Sequence, residues 1–147
     1  FSKKYAGEMT FRMALTHSKN IPAVRLMEML GTAPVAKLKQ AGVKLALGTD
    51  SLASNSSLSL WDELTFAADA YADALSVSEL FALATSGGAS ALGLQDQLGA
   101  LRPGLRTSFQ VVRPSGPLRA PLWLESLLRE GSQVEALVLD GQVVKID

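Results

Sequence analysis

Hydrophobic positions along this chain follow a helical rhythm over most of its length and a strand rhythm in two places. Phe11, Ala14 and Leu15 share one helical face behind Thr10, which is suited to capping. Asn20-Ile21-Pro22 stops that run and starts another, through Val24, Met27 and Leu30 to a Gly31 stop. Residues 33–40 read as a helix with Pro34 in its first turn and Gly42 past its end. Val43-Lys44-Leu45-Ala46-Leu47 is a short apolar run between turn signals, the pattern of a buried parallel strand. Helical spacing returns over 58–75, with Leu60, Leu64, Ala67, Ala68 and Tyr71 in phase. Ser76-Val77-Ser78-Glu79 is a capping box opening a further helix, which Gly87-Gly88 is expected to break before one more turn over 89–94.

Strand character reappears towards the C-terminus. Leu101-Arg102-Pro103-Gly104 reads as a tight turn, 107–112 as a short strand, and 122–129 as a short amphipathic helix. Residues 134–139 and 142–146 are expected to pair as a hairpin across Asp140-Gly141, because Asp-Gly supplies the two positive φ angles of a type I′ turn. The fold class read from this order is α/β or α+β. A single strand–helix unit and its following helices come first, a small β part follows, and the N-terminus is helical.

Composition narrows the functions. Fourteen basic and fourteen acidic residues cancel, and no basic run marks a nucleic-acid or anionic-membrane surface. No apolar stretch approaches a membrane span, and Phe1-Ser2-Lys3-Lys4 opens no signal peptide. The absence of cysteine excludes disulfides and thiolate metal sites and fits a cytoplasmic location. Thr49-Asp50-Ser51 lies at the C-terminal end of the 43–47 strand, where α/β proteins gather reactive groups. Asp50 is therefore the leading candidate for a chemical role, against the plainer reading that it caps the next turn. His17, the one histidine, reads as a surface or capping residue. Ser54 to Ser57 read as a solvated loop, and Trp61 and Trp123 as packing residues rather than ring-stacking platforms.

The stretch GVKLALGTDSLASNSSLSLWDEL resembles the eighth-strand segment of the amidohydrolase superfamily, nearest its deaminases and chlorohydrolases of heteroaromatic rings. The likeness continues through Glu79 to Thr85, Ala89 to Leu94, Leu98 to Arg106 and Val138 to Val144. It implies a partial (β/α) barrel over 32–147, with the barrel end running to about residue 100 and a small β part over 101–147. It also implies a metal-ligand and proton-handling role for Asp50, with Ser51 beside it. By resemblance the metal is zinc or iron, and the reaction is hydrolysis of C–N or C–Cl bonds through activated water. In the family an aspartate precedes the first β-part strand, and Ser108 stands in its place here. The family takes its other ligands from histidines that this chain lacks, so the resemblance implies a module inactive alone. A small-molecule substrate would then be bound only after completion by another chain. The alternative is an inert fragment or engineered chimera that folds or self-associates and does nothing else.

A second resemblance covers residues 1–31. MTFRMALTHSKNIPAVRLMEMLG is similar to the Ser-x-Asn region of penicillin-binding transpeptidases, with Ser18 and Asn20 as the motif residues. Neither the Ser-x-x-Lys nor the Lys-Thr-Gly motif accompanies it. His17-Ser18-Lys19-Asn20 also echoes a His-Cys-Pro-x-Ser-Asn word that amidohydrolases carry upstream of their last strand. An isolated barrel end exposes a strand edge and helix faces, so either a rearranged α+β fold or a homodimer is expected.

Overall fold

The computed structural model describes residues 33–50 and 57–144. In chain order these form α1 (Ala33–Gln40), α2 (Leu60–Ala70), α3 (Val77–Ala82), a π-helical turn (Leu83–Gly87), α4 (Gly88–Ala91), β1 (Phe109–Pro114), α5 (Trp123–Arg129), β2 (Ser132–Leu139) and β3 (Gln142–Val144). The strands make one antiparallel sheet in the order β1-β2-β3, with a bulge between Val111 and Val112. These residues form a partial α/β segment carrying a small antiparallel sheet.

Local chemistry explains the helix ends. Gly42 adopts φ 73°, its N–H donates to the Lys39 carbonyl, and the Val43 N–H donates to that of Leu38. This Schellman arrangement closes α1 as the glycine stop predicts. The capping box is present at α3. Ser76 Oγ accepts from the Glu79 N–H at 3.3 Å, and Glu79 Oε2 accepts from the Ser76 N–H at 2.9 Å. Lys39 also pairs with Glu79, tying α1 to the start of α3. The bond from Lys39 and those from Ser76 hold the Glu79 carboxyl at about 2, against an ordinary 4.5. A carboxylate depressed this way contributes stability above its unfolded pKa and loses it as pH falls from about 4.5 towards 2. Ser76→Ala is expected to cost about 1 kcal/mol in thermal unfolding. It should also raise the Glu79 titration midpoint, as followed by NMR.

The helix expected over 58–75 is shorter, Leu60–Ala70. Ser59 caps it, and Tyr71 leaves helical geometry. Its inward residues Leu64 and Ala67 meet Leu75, Leu80 and Leu128, which together form the core. Leu128 comes from α5, whose Leu124, Leu127 and Leu128 are buried, so the C-terminal part packs back onto α2 and α3. The Trp61 indole N–H donates to Gln110 Oε1 at 3.0 Å and ties α2 to β1, while its ring sits tilted against Phe81. Trp61 is thus a packing residue, as expected.

Two expectations are corrected. Gly87-Gly88 does not break the helix: both glycines keep right-handed helical angles, and the chain passes from the π turn directly into α4. Glycine serves there by lacking a side chain, because a Cβ on Gly87 would stand 2.8 Å from the Leu45 carbonyl oxygen. Residues 43–47, expected as a paired strand, make no sheet ladder among the described residues. They run without helix, turn or bend, but a strand needs neighbours to exchange hydrogen bonds. Here the Leu47 N–H donates to the Leu83 carbonyl at 3.2 Å and the Val43 N–H to the end of α1, and neither bond belongs to a ladder.

The hairpin forms as predicted. Asp140 and Gly141 have φ 51° and 80°, and β2 pairs with β3 from Leu137–Val144 to Leu139–Gln142. Strand β1 begins and ends two residues later than its predicted 107–112 span.

Candidate active-site segment

Asp50 ends the stretch that leads from α1 towards α2. Burial alternates along that stretch: Leu45, Leu47 and Thr49 are half-buried, whereas Lys44, Ala46, Gly48 and Asp50 are exposed. Leu47 packs against the core. One face of the stretch thus leans on the helices and the other, ending at Asp50, is open. A barrel strand likewise has one face on its surrounding helices. Asp50 has φ 55°, a left-handed conformation that Asp tolerates better than most residues and that turns the chain out of the strand direction.

Beyond the turn, Ser57 and Ser59 organise the start of α2. Ser57 Oγ donates to Asp62 Oδ2 at 2.5 Å, and Ser59 Oγ accepts from the Asp62 N–H at 3.3 Å. Of the expected loop 54–57, Ser57 is therefore structural. Ser51, Ser18, Asn20 and His17 lie outside the described residues.

A catalytic zinc takes three protein ligands and leaves one position open. Among the described residues no group of three His, Cys, Asp or Glu side chains converges. Asp50 can supply one carboxylate, so these residues do not build a metal centre by themselves. A shallow cleft of about 220 Å³ lies between α2 and α5, against Thr65, Asp69, Val77, Glu125 and Leu128, and Asp50 does not line it.

A second polar cluster sits at the β2–β3 turn. Arg106 grips the Asp140 carboxylate with Nε at 2.6 Å and with Nη2. Ser108 Oγ accepts from the Asp140 N–H at 3.0 Å, and the Gly141 N–H donates to the Thr107 carbonyl at 2.8 Å. The guanidinium holds the Asp140 carboxyl below the usual carboxylate range, opposed by desolvation. Ser108 thus anchors the hairpin turn. Sequence reasoning missed this clamp, because Arg106 and Asp140 are far apart in the chain and only the Asp-Gly turn signalled either of them.

The amidohydrolase family pattern matches residues 12–144 of this chain. The chain belongs to the amidohydrolase family. Its relatives include the 5-methylthioadenosine/S-adenosylhomocysteine deaminase of Teredinibacter turnerae, 44% identical over 60% of this chain and 21% of that protein. The enzyme of the same name from Halobacterium salinarum is 34% identical over 86% of this chain and 31% of its own length. Among solved structures, an adenosine deaminase from Xanthomonas campestris with bound zinc superposes with a TM-score of 0.66. It is 32% identical and is matched over 75% of this chain and 27% of its own. The chain thus spans a third or less of the length of these relatives. The family match also runs through residues 12–31. The transpeptidase reading of Ser18 and Asn20 gains no support, and the alternative echo in His17-Ser18-Lys19-Asn20 agrees with the match. Among the described residues no helix is long and apolar enough to cross a membrane.

Proposed function

We propose that this chain is the strand-eight segment and small β part of a zinc-dependent deaminase acting on the adenine ring of a nucleoside. The observation that supports it most is the placement of Asp50 at the end of a stretch with one face on the helices and the other open. In this reading Asp50 is the segment's contribution to the metal, with Ser51 beside it. The division near residue 100, barrel end before and β part after, is part of the same proposal, as is a cytoplasmic location. No group of three ligands converges among the described residues, so in this reading the other ligands and the substrate pocket lie outside them. The family match and the relatives named above favour deamination over dechlorination.

The test is a graft. Residues 12–144 replace the matching C-terminal segment of the Teredinibacter turnerae deaminase, and zinc content and deamination of methylthioadenosine are measured together. A folded graft that retains zinc and turns over the nucleoside is the expected outcome. A folded, zinc-loaded graft without turnover on any adenine nucleoside would refute the substrate class. A folded graft without zinc would refute the placement of Asp50.

A further inference from the structure

The π-helical turn Leu83–Gly87 is made by residues that bond back into the helix before it. Thr85 Oγ1 donates to the Phe81 carbonyl at 2.8 Å, and Ser86 Oγ to the Ala82 carbonyl at 3.3 Å. Hydroxyls bonded four residues back bend helices, and a single π turn in an α-helix often marks a functional position. Two other stretches of backbone meet this turn. The Leu47 N–H donates to the Leu83 carbonyl at 3.2 Å, and the Leu45 carbonyl oxygen stands 2.8 Å from where a Cβ on Gly87 would be. Gly99, at φ 98°, approaches as closely: a Cβ there would stand 2.8 Å from Ala89 Cβ and 3.0 Å from Ser86 Cα.

We infer that this turn positions Asp50, with Gly87 as the positioning residue. Asp50 lies three residues beyond Leu47, and the chain between them has no helix, turn or bend. A stretch outside any ladder is placed by what its backbone touches, and at Leu45 and Leu47 that is the π turn. Glycine is what lets the two backbones come together.

A methyl group on Gly87 would meet a backbone oxygen, which cannot swing aside as the end of a long side chain can. Ordinary contact begins near 3.4 Å, so the two backbones would have to part by roughly half an ångström. Gly99 packs against the turn at Ser86 and Ala89, so the displacement falls on residues 45–47 and passes to the strand end. Shifts on that scale separate a productive catalytic geometry from an idle one. The catalytic consequence rests on the deaminase reading of Asp50, whereas the placement of the strand end by the turn does not.

The test combines amide hydrogen exchange by NMR on the full chain with kinetics on the graft. In the parent chain the Leu47 amide is expected to be protected, because it is bonded to Leu83. Gly87→Ala should speed exchange at Leu47 roughly tenfold and move the amide resonances of residues 47–50, with Leu80 protection and the far-UV circular dichroism spectrum unchanged. A general loss of stability would instead speed both amides together. Gly88→Ala is the control: a Cβ there meets nothing nearer than the Leu83 carbonyl oxygen at 3.8 Å, so Leu47 should exchange as in the parent. In the graft, Gly87→Ala should lower kcat per folded protein roughly tenfold with KM unchanged, and Gly88→Ala should leave both as they are.

A parent chain whose Leu47 amide exchanges at the unfolded rate would overturn the inference. So would a Gly87→Ala chain with parental exchange at Leu47, or one in which Leu47 and Leu80 accelerate equally, outright unfolding included. Full turnover in the Gly87→Ala graft would break the link from the turn to Asp50. A parent graft without turnover refutes the deaminase reading instead, and the exchange result on the full chain still decides whether the turn places the strand end.

Discussion

Replacing Asp50 with Asn in the grafted enzyme is expected to lower kcat by roughly 10²–10⁴-fold, the usual worth of a positioned acid–base group. Asn is the informative substitution. At φ 55° the backbone is left-handed, a conformation that Asn tolerates as Asp does and that Ala adopts only with strain. Asp50→Ala would therefore mix a backbone cost with a chemical one. Asp50→Asn keeps shape and polarity and removes only the charge. Asp50 has an interaction partner in the fold, so the melting temperature of Asp50→Asn is measured beside its kcat, and a folded variant with lost turnover is the expected result. Zinc content is the second readout, since loss of an anionic ligand should weaken retention of the ion. Full activity and full zinc in Asp50→Asn would remove Asp50 from the site, and the strand end would then be a turn.

Much of the fold was legible where the responsible chemistry is local. Ser76 and Glu79 lie three residues apart, so the capping box that opens α3 is written in four letters. Asp140-Gly141 and Gly42 are equally self-contained, because each needs only a positive φ that its residue type accepts. Misreadings arose where the cause lies elsewhere in the chain. Gly87 looks like a helix breaker, yet it is required because the Leu45 carbonyl, far off in sequence, packs against it. Residues 43–47 have the composition of a buried strand, but pairing depends on neighbours that composition does not reveal. The clamp of Arg106 and Ser108 on Asp140 was invisible for the same reason. At the candidate site, the motif around Asp50 was readable. Its open face and left-handed backbone came only from the structure.

Leu80→Ala is expected to be the most damaging single substitution outside the site. Leu80 is 1% exposed, the most buried large side chain described, and it lies where α2, α3 and α5 meet. Removing most of its side chain loses transfer free energy and leaves a cavity, together about 2–5 kcal/mol for a buried leucine. Among the described residues the buried cluster is Leu64, Ala67, Leu75, Leu80 and Leu128, with partly buried side chains such as Trp61 and Phe81 packed around it, so how far these relax into the gap sets where in that range the cost falls. Against a whole-domain stability of about 5–15 kcal/mol, that loss removes a large fraction of the folded state's margin. Phe66 supplies the control. It lies on α2 close to Leu64 and Ala67 in sequence but is 67% exposed, so Phe66→Ser should change stability by less than about 0.5 kcal/mol and reduce hydrophobic-dye binding. Urea unfolding of the two variants in a Trp123→Phe background, monitored by Trp61 fluorescence, separates the cases, because Trp61 borders this core. Equal destabilisation by both substitutions would mean that the outer face of α2, and not the contact among α2, α3 and α5, holds this segment together.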